Sequence, residues 1–240
     1  MSREYLEYLS SAIPMKRKHL KYLHSLKSAG FEPKVIYDIG ACVLHWTKEA
    51  KRLWPDAQII LFDAFAPAEF MYEGYDYHIG VLSDTDGKEV KFYQNDEQPG
   101  GNSYYREIGH ARSGEYFPDD GYVMKTTAKL DTIVKQRGFP LPDFVKIDVQ
   151  GAELDVIAGA QSTFAKADQL IVELQHSHYN EGAKMVLEST PIIESYGWKC
   201  TAPLFCDNGP DGDYGFSRPN SIVTKRLHPF NGQLKWLKKQ

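Results

Sequence analysis

Cysteine is scarce in this chain: Cys42, Cys200 and Cys206 are the only three among 240 residues. They match no zinc spacing, and an odd count argues against a disulfide framework. The expected setting is therefore reducing and cytoplasmic. No apolar run approaches the ~18 residues of a membrane span. The opening Met1-Ser2-Arg3-Glu4-Tyr5 lacks the apolar core of a signal peptide. Positive charge is not in excess either. Lys and Arg number 28 against 32 for Asp and Glu, a net charge of −4, so nothing global invites nucleic acid. The basic residues Lys235, Lys238 and Lys239 read as a solvated tail. Internal repeats and low-complexity linkers are absent, so one domain is expected. What remains is 42% apolar and 25% charged, the balance of a soluble globular chain long enough for one α/β core.

The most informative stretch is Val35-Ile36-Tyr37-Asp38-Ile39-Gly40-Ala41. An apolar run meets an acid, and a glycine follows two positions later. A second run, Gln58-Ile59-Ile60-Leu61-Phe62, ends in Asp63. Strand, glycine turn, helix, strand, acid is the layout of a nucleotide-binding half. The glycine admits a ligand close to the backbone. The second acid suits a ribose diol, because a carboxylate can accept from both hydroxyls. The dinucleotide fingerprint needs three glycines to seat a pyrophosphate. Gly40-Ala41-Cys42-Val43-Leu44-His45 keeps one, which disfavours a nicotinamide or flavin enzyme. It favours a nucleoside cofactor without phosphates, such as S-adenosylmethionine.

The rest of the chain alternates in the same way. Leu6, Leu9 and Ile13, then Leu20, Leu23 and Leu26, mark an N-terminal helical brace or lid over residues 1–30. Strands are expected near 34–38, 58–63, 75–81, 89–93, 122–127, 143–148, 169–174, 198–205 and 214–224. Helices are expected near 47–53 (starting as early as 43), 66–73, 129–137, 152–159 and 182–196. Residues 95–121 form a long polar loop, of the kind that often binds ligands. Residues 206–213 read as a turn-rich loop. The pattern predicts a mostly parallel sheet with helices on both faces. The closing strand pair lacks a crossover helix, so its second strand runs antiparallel. The main domain is expected over 31–226 and a tail over 227–240.

Ligands of open parallel sheets sit at the carboxyl ends of the strands. That rim gathers Asp38, Asp63, Asp148 and Glu173, with His176 and His178 just beyond and Asp207, Asn208, Asp211 and Asp213 in the final loop. Each has a plainer reading as a turn, a cap or a surface residue. Glu173 interrupts an apolar strand, so it needs a cation, a metal or hydrogen-bond donors. Lys146 reads as a packing or pairing residue, and Glu153 as a helix-start acid. Asp84-x-Asp86 and Asp211-x-Asp213 are short strings common in turns, a poor basis for a metal-dependent glycosyltransferase.

Asp38-Ile39-Gly40-Ala41, the block Phe144-Val145-Lys146-Ile147-Asp148-Val149-Gln150-Gly151-Ala152-Glu153, Gly159-Ala160 and Ile171-Val172-Glu173-Leu174 resemble the FkbM family of S-adenosylmethionine-dependent methyltransferases. The resemblance covers roughly residues 33–225. It implies a Rossmann-like class I methyltransferase fold: a seven-stranded, mostly parallel sheet with an antiparallel last strand, here preceded by N-terminal helices. It also implies O-methylation, commonly of a sugar or polyketide hydroxyl. Three positions depart from the family pattern. Cys42 and Leu44 stand where Asn and Gly are usual, and Gln150 replaces the usual Glu.

The roles expected are these. Asp38, Ile39, Gly40, Ala41, Asp63, Ala64, Leu82 and Ser83 contact S-adenosylmethionine. Asn102, Ser103 and Tyr104 contact a small-molecule or glycan acceptor, since aromatic faces beside polar groups suit a saccharide. Asp148 or His176 serves as base, or Asp148 and Glu173 hold a divalent metal that acidifies the hydroxyl. A non-catalytic binding protein on the same fold and a nicotinamide oxidoreductase are the competing readings.

Overall fold

The structure is a computed structural model describing residues 2–12 and 14–223. Ile13, residue 224 of the expected last strand, the 226/227 boundary and the basic tail lie outside the described residues. Two helices, α1 (Arg3–Ala12) and α2 (Arg17–Ser28), precede β1 (Val35–Ile39), α3 (His45–Leu53) and β2 (Gln58–Asp63). A 3₁₀ turn over Ala66–Tyr72 leads to β3 (Asp76–Ile79), β4 (Val81–Leu82) and β5 (Glu89–Tyr93). After the long loop, which holds the short α4 (Ser113–Tyr116), come β6 (Tyr122–Ala128), α5 (Leu130–Arg137), β7 (Phe144–Ile147) and α6 (Glu153–Ala158). The chain continues through β8 (Gln169–Gln175), α7 (Val186–Ser195), β9 (Lys199–Asp207) and β10 (Asp211–Ser217).

Seven strands form one sheet in the order β3-β2-β1-β7-β8-β10-β9, and β4-β6-β5 form a small second sheet. β10 runs antiparallel to both β8 and β9, and the other pairs in the large sheet are parallel. Period-two alternation divides the sheet's side chains between two apolar layers. Leu61, Phe144 and Ile171 join Leu23, Leu26, Trp46 and Trp54 on the α2/α3 face. Ile60, Phe62, Val145, Ile147 and Val172 join Val156, Ile157 and Ile193 on the α6/α7 face. The N-terminal extension shares the first of these cores, with Tyr22 stacked on Phe205 at 4.0 Å.

Two strand boundaries differ from expectation. The segment 75–81 divides at Gly80, whose N–H is taken by the Asp63 carbonyl at 2.8 Å. Val81 and Leu82 then pair with Thr127 and Ala128 in the small sheet. The last strand spans Asp211–Ser217 rather than 214–224, so the expected turn-rich loop contracts to a tight hairpin and residues 218–223 lie beyond the strand. Among the described residues no helix is long and apolar enough to cross a membrane.

Candidate functional site

The carboxyl edge of the sheet is shaped first by Gly40. Its φ is +80°, and a Cβ there would lie 1.8 Å from the Asp148 carbonyl oxygen. Only glycine lets the ends of β1 and β7 approach this closely. The turn continues through two non-glycine residues at positive φ, Cys42 (+45°) and Leu44 (+68°). Leu44 thus keeps the left-handed conformation without the glycine the family favours, at a cost of about 1–2 kcal/mol. Its buried side chain lies in the α2/α3 core, which offsets that cost.

Two cavities meet at this turn. The first is bordered by Ile39, Gly40, Asp63, Ala64, Val81 and Leu82 on the sheet side, and by Phe92, Asn102, Ser103 and Tyr104 opposite. The second, about 440 Å³, lies between the sheet edge and the N-terminal helices. Tyr5, Met15, Lys16 and His19 form its roof, Ala41, His45 and Trp46 a wall, and Asp148, Glu173 and Asp213 its acidic side. Gly40, Cys42, Pro99, Gly100 and Asp148 border both cavities.

Asp63 is held before any ligand arrives. Its Oδ2 accepts the Cys42 N–H and its Oδ1 the Phe65 N–H, each at 2.7 Å. Each oxygen keeps a further lone pair, so two hydroxyls can still be accepted. The Cys42 thiol is pushed far up by burial and then by Asp63, which leaves it inert.

Lys146 organises the centre. Register pairs it with Asp38 across β1 and β7, and alternation puts both on the α2/α3 face. Its Nζ donates to the Gly40 carbonyl at 3.0 Å and lies 3.4 Å from Asp38 Oδ1 and 3.3 Å from Asp148 Oδ2. Burial opposes its charge, but the Asp148, Asp38 and Glu173 carboxyls raise its pKa regardless. Gln150 bridges Asp148 and Glu173, and their pKa values are shifted in opposite directions. Burial, then the charges of Asp148, Asp211 and Asp213, raise Glu173 well above the carboxyl range. Burial also works on Asp148, but Lys146 and the donors around it hold it low. Asp148 is thus the member of the pair that ionises first, and Glu173 the one that holds its proton longer.

The metal expectation does not fit this donor set. Gln150 Nε2 bridges Asp148 Oδ1 at 3.1 Å and Glu173 Oε2 at 2.6 Å. Asn208 Nδ2 takes Glu173 Oε1 at 2.8 Å, and the Lys146 cation takes Asp148 Oδ2. A divalent ion would have to displace an amide and sit beside an ammonium. His19, Cys206 and Asp213 bring ligand atoms within 4.8 Å of one another. Trp46 Nε1–H, however, donates to His19 Nε2 at 2.9 Å, so the ring proton sits on Nδ1 and points to Asp213 at 2.9 Å. Nδ1 then has no lone pair for a metal.

Three further expected residues lie apart from both cavities. Asp38 is fully buried and lines neither cavity. Its Oδ2 accepts from Thr47 at 2.5 Å, and its Oδ1 lies 3.4 Å from Lys146 Nζ. Ser83 is buried and borders neither cavity, and its carbonyl faces Gly159, where a Cβ would lie 2.1 Å away. His176 follows the alternation of Leu174 to the α6/α7 side, opposite Glu173. Its Nε2 lies 2.7 Å from the Tyr214 hydroxyl, and the ring borders neither cavity. Asn102, Ser103 and Tyr104 border the first cavity, away from the roofed second one where an acceptor has room. His19 and Trp46 had no expected role in a cavity, whereas Asn208 was expected at the rim. The available signal was His19, a polar residue in helical phase with Tyr22, Leu23 and Leu26.

Glu153 braces the turn after Asp148: its Oε1 accepts the N–H groups of Val149 at 3.0 Å and Gly151 at 3.1 Å. Burial raises its pKa to about 7 from 4.5. Between those values the folded state holds a proton that the unfolded state has lost, so stability falls as pH rises through this window. Glu153→Gln keeps an acceptor for both amides. It should flatten that slope and exceed the parent's stability at pH 8 by roughly 2 kcal/mol in urea unfolding. Parent-like stability at pH 8 would show that the amides hold the carboxylate ionised.

Residues 38–200, more than half of the chain, match the family described as Methyltransferase FkbM domain. The chain belongs to the FkbM methyltransferase domain family. The strand order, with β10 antiparallel between β8 and β9, is that of a class I methyltransferase domain. The "2-O-methyltransferase NoeI" of Sinorhizobium fredii (strain NBRC 101917 / NGR234) is 31% identical over 88 residues. That stretch covers 35% of this chain and 36% of the relative, little more than a third of its length. Human N-acetylserotonin methyltransferase in complex with SAM superposes at a TM-score of 0.47 and 9% identity, covering 89% of this chain and 55% of that one. Magnesium protoporphyrin IX methyltransferase (ChlM) from Synechocystis PCC 6803 with bound SAM gives 0.45 and 11%, covering 84% and 80%. The class I fold of this FkbM domain follows from its own strand order.

Proposed function

We propose that this FkbM domain transfers a methyl group from S-adenosylmethionine to a hydroxyl of a saccharide or related polyol. The observation that carries the reading is the junction of the two cavities at Asp148. The first cavity offers the pre-oriented Asp63 carboxylate for a ribose diol and the apolar pair Val81 and Leu82 for a purine. It lacks the glycines a pyrophosphate needs, which favours this cofactor over a nicotinamide. When bound, S-adenosylmethionine supplies a methyl carbon activated by its sulfonium. The second cavity, with Trp46 and Tyr5 beside polar side chains, suits the faces and hydroxyls of a sugar ring. The N-terminal helices exclude water from it, and the Asp148 carboxylate takes the acceptor's hydroxyl proton. The 2-O-methyltransferase name of the bacterial relative supports a hydroxyl acceptor.

Calorimetric titration tests the cofactor half. S-adenosylhomocysteine should bind saturably and NADH should not. Asp63→Ala should weaken binding about 100-fold, because two charge-assisted hydrogen bonds are lost. Asp63→Asn, which keeps one acceptor, should fall between. NADH binding with no response to S-adenosylhomocysteine would overturn the reading. Cofactor binding with no turnover across a broad polyol panel would favour a non-catalytic protein.

A further inference from the structure

One side chain of the long loop borders the first cavity with a donor unused. Asn102 Oδ1 accepts the Asn95 N–H at 2.7 Å. A backbone N–H cannot pair with an amide NH2, so this bond fixes which end of the side chain is oxygen. The Nδ2 at the other end is buried and has no hydrogen-bond partner among the described residues. Burying a donor without an acceptor is unfavourable, and such a group calls for an explanation. Its neighbours offer none. Ser103 Oγ donates to the Val149 carbonyl at 3.1 Å and accepts the Tyr105 N–H at 3.0 Å. The Tyr104 hydroxyl lies 2.8 Å from Asp155 Oδ2 and 3.2 Å from Ser83 Oγ. Val81, Leu82 and Phe92, which border the same cavity, carry no polar side-chain atom.

Resting on the cofactor reading above, we propose that Asn102 recognises the purine of the bound nucleoside, its Nδ2–H donating to an unprotonated ring nitrogen. The partner is a ring nitrogen because the exocyclic 6-amine is itself a donor. The apolar residues hold the base by its faces and accept any flat ring. Asn102 is then the residue that demands an in-plane acceptor. Its second bond, to Asn95, ties base recognition to the conformation of the loop.

The test is calorimetric titration of the whole chain with S-adenosylhomocysteine and its 1-deaza, 3-deaza and 7-deaza analogues, each with one ring nitrogen replaced by C–H. One analogue should bind the parent protein about tenfold more weakly than S-adenosylhomocysteine. Asn102→Asp keeps an acceptor for the Asn95 N–H and removes the donor. It should lose at least about tenfold for S-adenosylhomocysteine and should no longer disfavour that analogue. If all three analogues bind the parent within about twofold of S-adenosylhomocysteine, the proposal is wrong. Full affinity in Asn102→Asp, at an unchanged melting temperature, would overturn it too. The analogue series needs no variant, so it decides even if the substitution disturbs the loop. Failure of S-adenosylhomocysteine to bind the parent at all is a distinct result that overturns the cofactor reading, and this proposal with it.

Discussion

Lys146→Met should cost about 3–5 kcal/mol of folding stability, measured as a lowered urea midpoint at constant slope. The size follows from what the substitution strands. Asp38 is completely buried, and Lys146 is the only cation paired with it among the described residues. The Gly40 carbonyl and Asp148 lose the same donor. Methionine matches the stem but leaves carboxylates where ionised groups are poorly tolerated. They would respond by holding protons above their unfolded pKa values. Their contribution is then lost as pH rises, so the deficit should narrow below about pH 5. Adding Asp38→Asn should restore part of it at pH 7, because removing both charges costs less than removing one. A loss under about 1 kcal/mol in Lys146→Met would mean that water reaches Asp38 and the buried pair is not what holds β1 to β7.

Much of this arrangement is legible in the chain because its causes are local. Asp38, Gly40, Asp63 and Asp148 each close an apolar run, and a parallel sheet brings such ends to one edge. β10 is harder to read. Asp211-Gly212-Asp213-Tyr214-Gly215-Phe216-Ser217 has turn composition, yet every residue in it is buried. The glycines are there for space: a Cβ on Gly215 would lie 2.2 Å from the Tyr22 hydroxyl, and one on Gly212 2.5 Å from Leu204. The acids are tolerated because partners come from elsewhere, as His19 on α2 does for Asp213. No window around β10 contains that histidine. The same limit explains His176 and Asn102. Position after β8 suggested a rim histidine, but alternation sends it to the far face. The long loop suggested an acceptor contact, but its Tyr104 and Tyr105 hydroxyls are both anchored on Asp155, which lays it beside the first cavity. The Leu44 turn shows the converse. A residue type that disfavours positive φ hides a backbone shape the surrounding core nevertheless imposes.

Asp148→Asn should reduce methyl transfer by about 10²–10⁴-fold, on whichever polyol the acceptor panel identifies, while S-adenosylhomocysteine affinity stays within about threefold. Asparagine keeps the shape and an acceptor for Gln150 but cannot take a proton. Glu173→Gln should behave differently. Glu173 holds its proton longer than Asp148, so a neutral amide in its place is the smaller change, and activity should stay within about tenfold. The pH profile separates this assignment from a histidine base. Asp148 is held below the usual carboxylate range, by Lys146 and then by donors from Glu173 and Gln150 working against burial. It is therefore ionised from about pH 5 upward, and kcat should show no acid limb between pH 5 and 8. A His176 base would instead give an acid limb, lying below the usual imidazole value because burial lowers that ring's pKa. Such a limb, abolished in His176→Gln and retained in Asp148→Asn, would return catalysis to His176 and require its ring to leave Tyr214 on binding. Equal losses in Asp148→Asn and Glu173→Gln would instead show that the pair titrates as one unit, with neither carboxyl the sole proton acceptor.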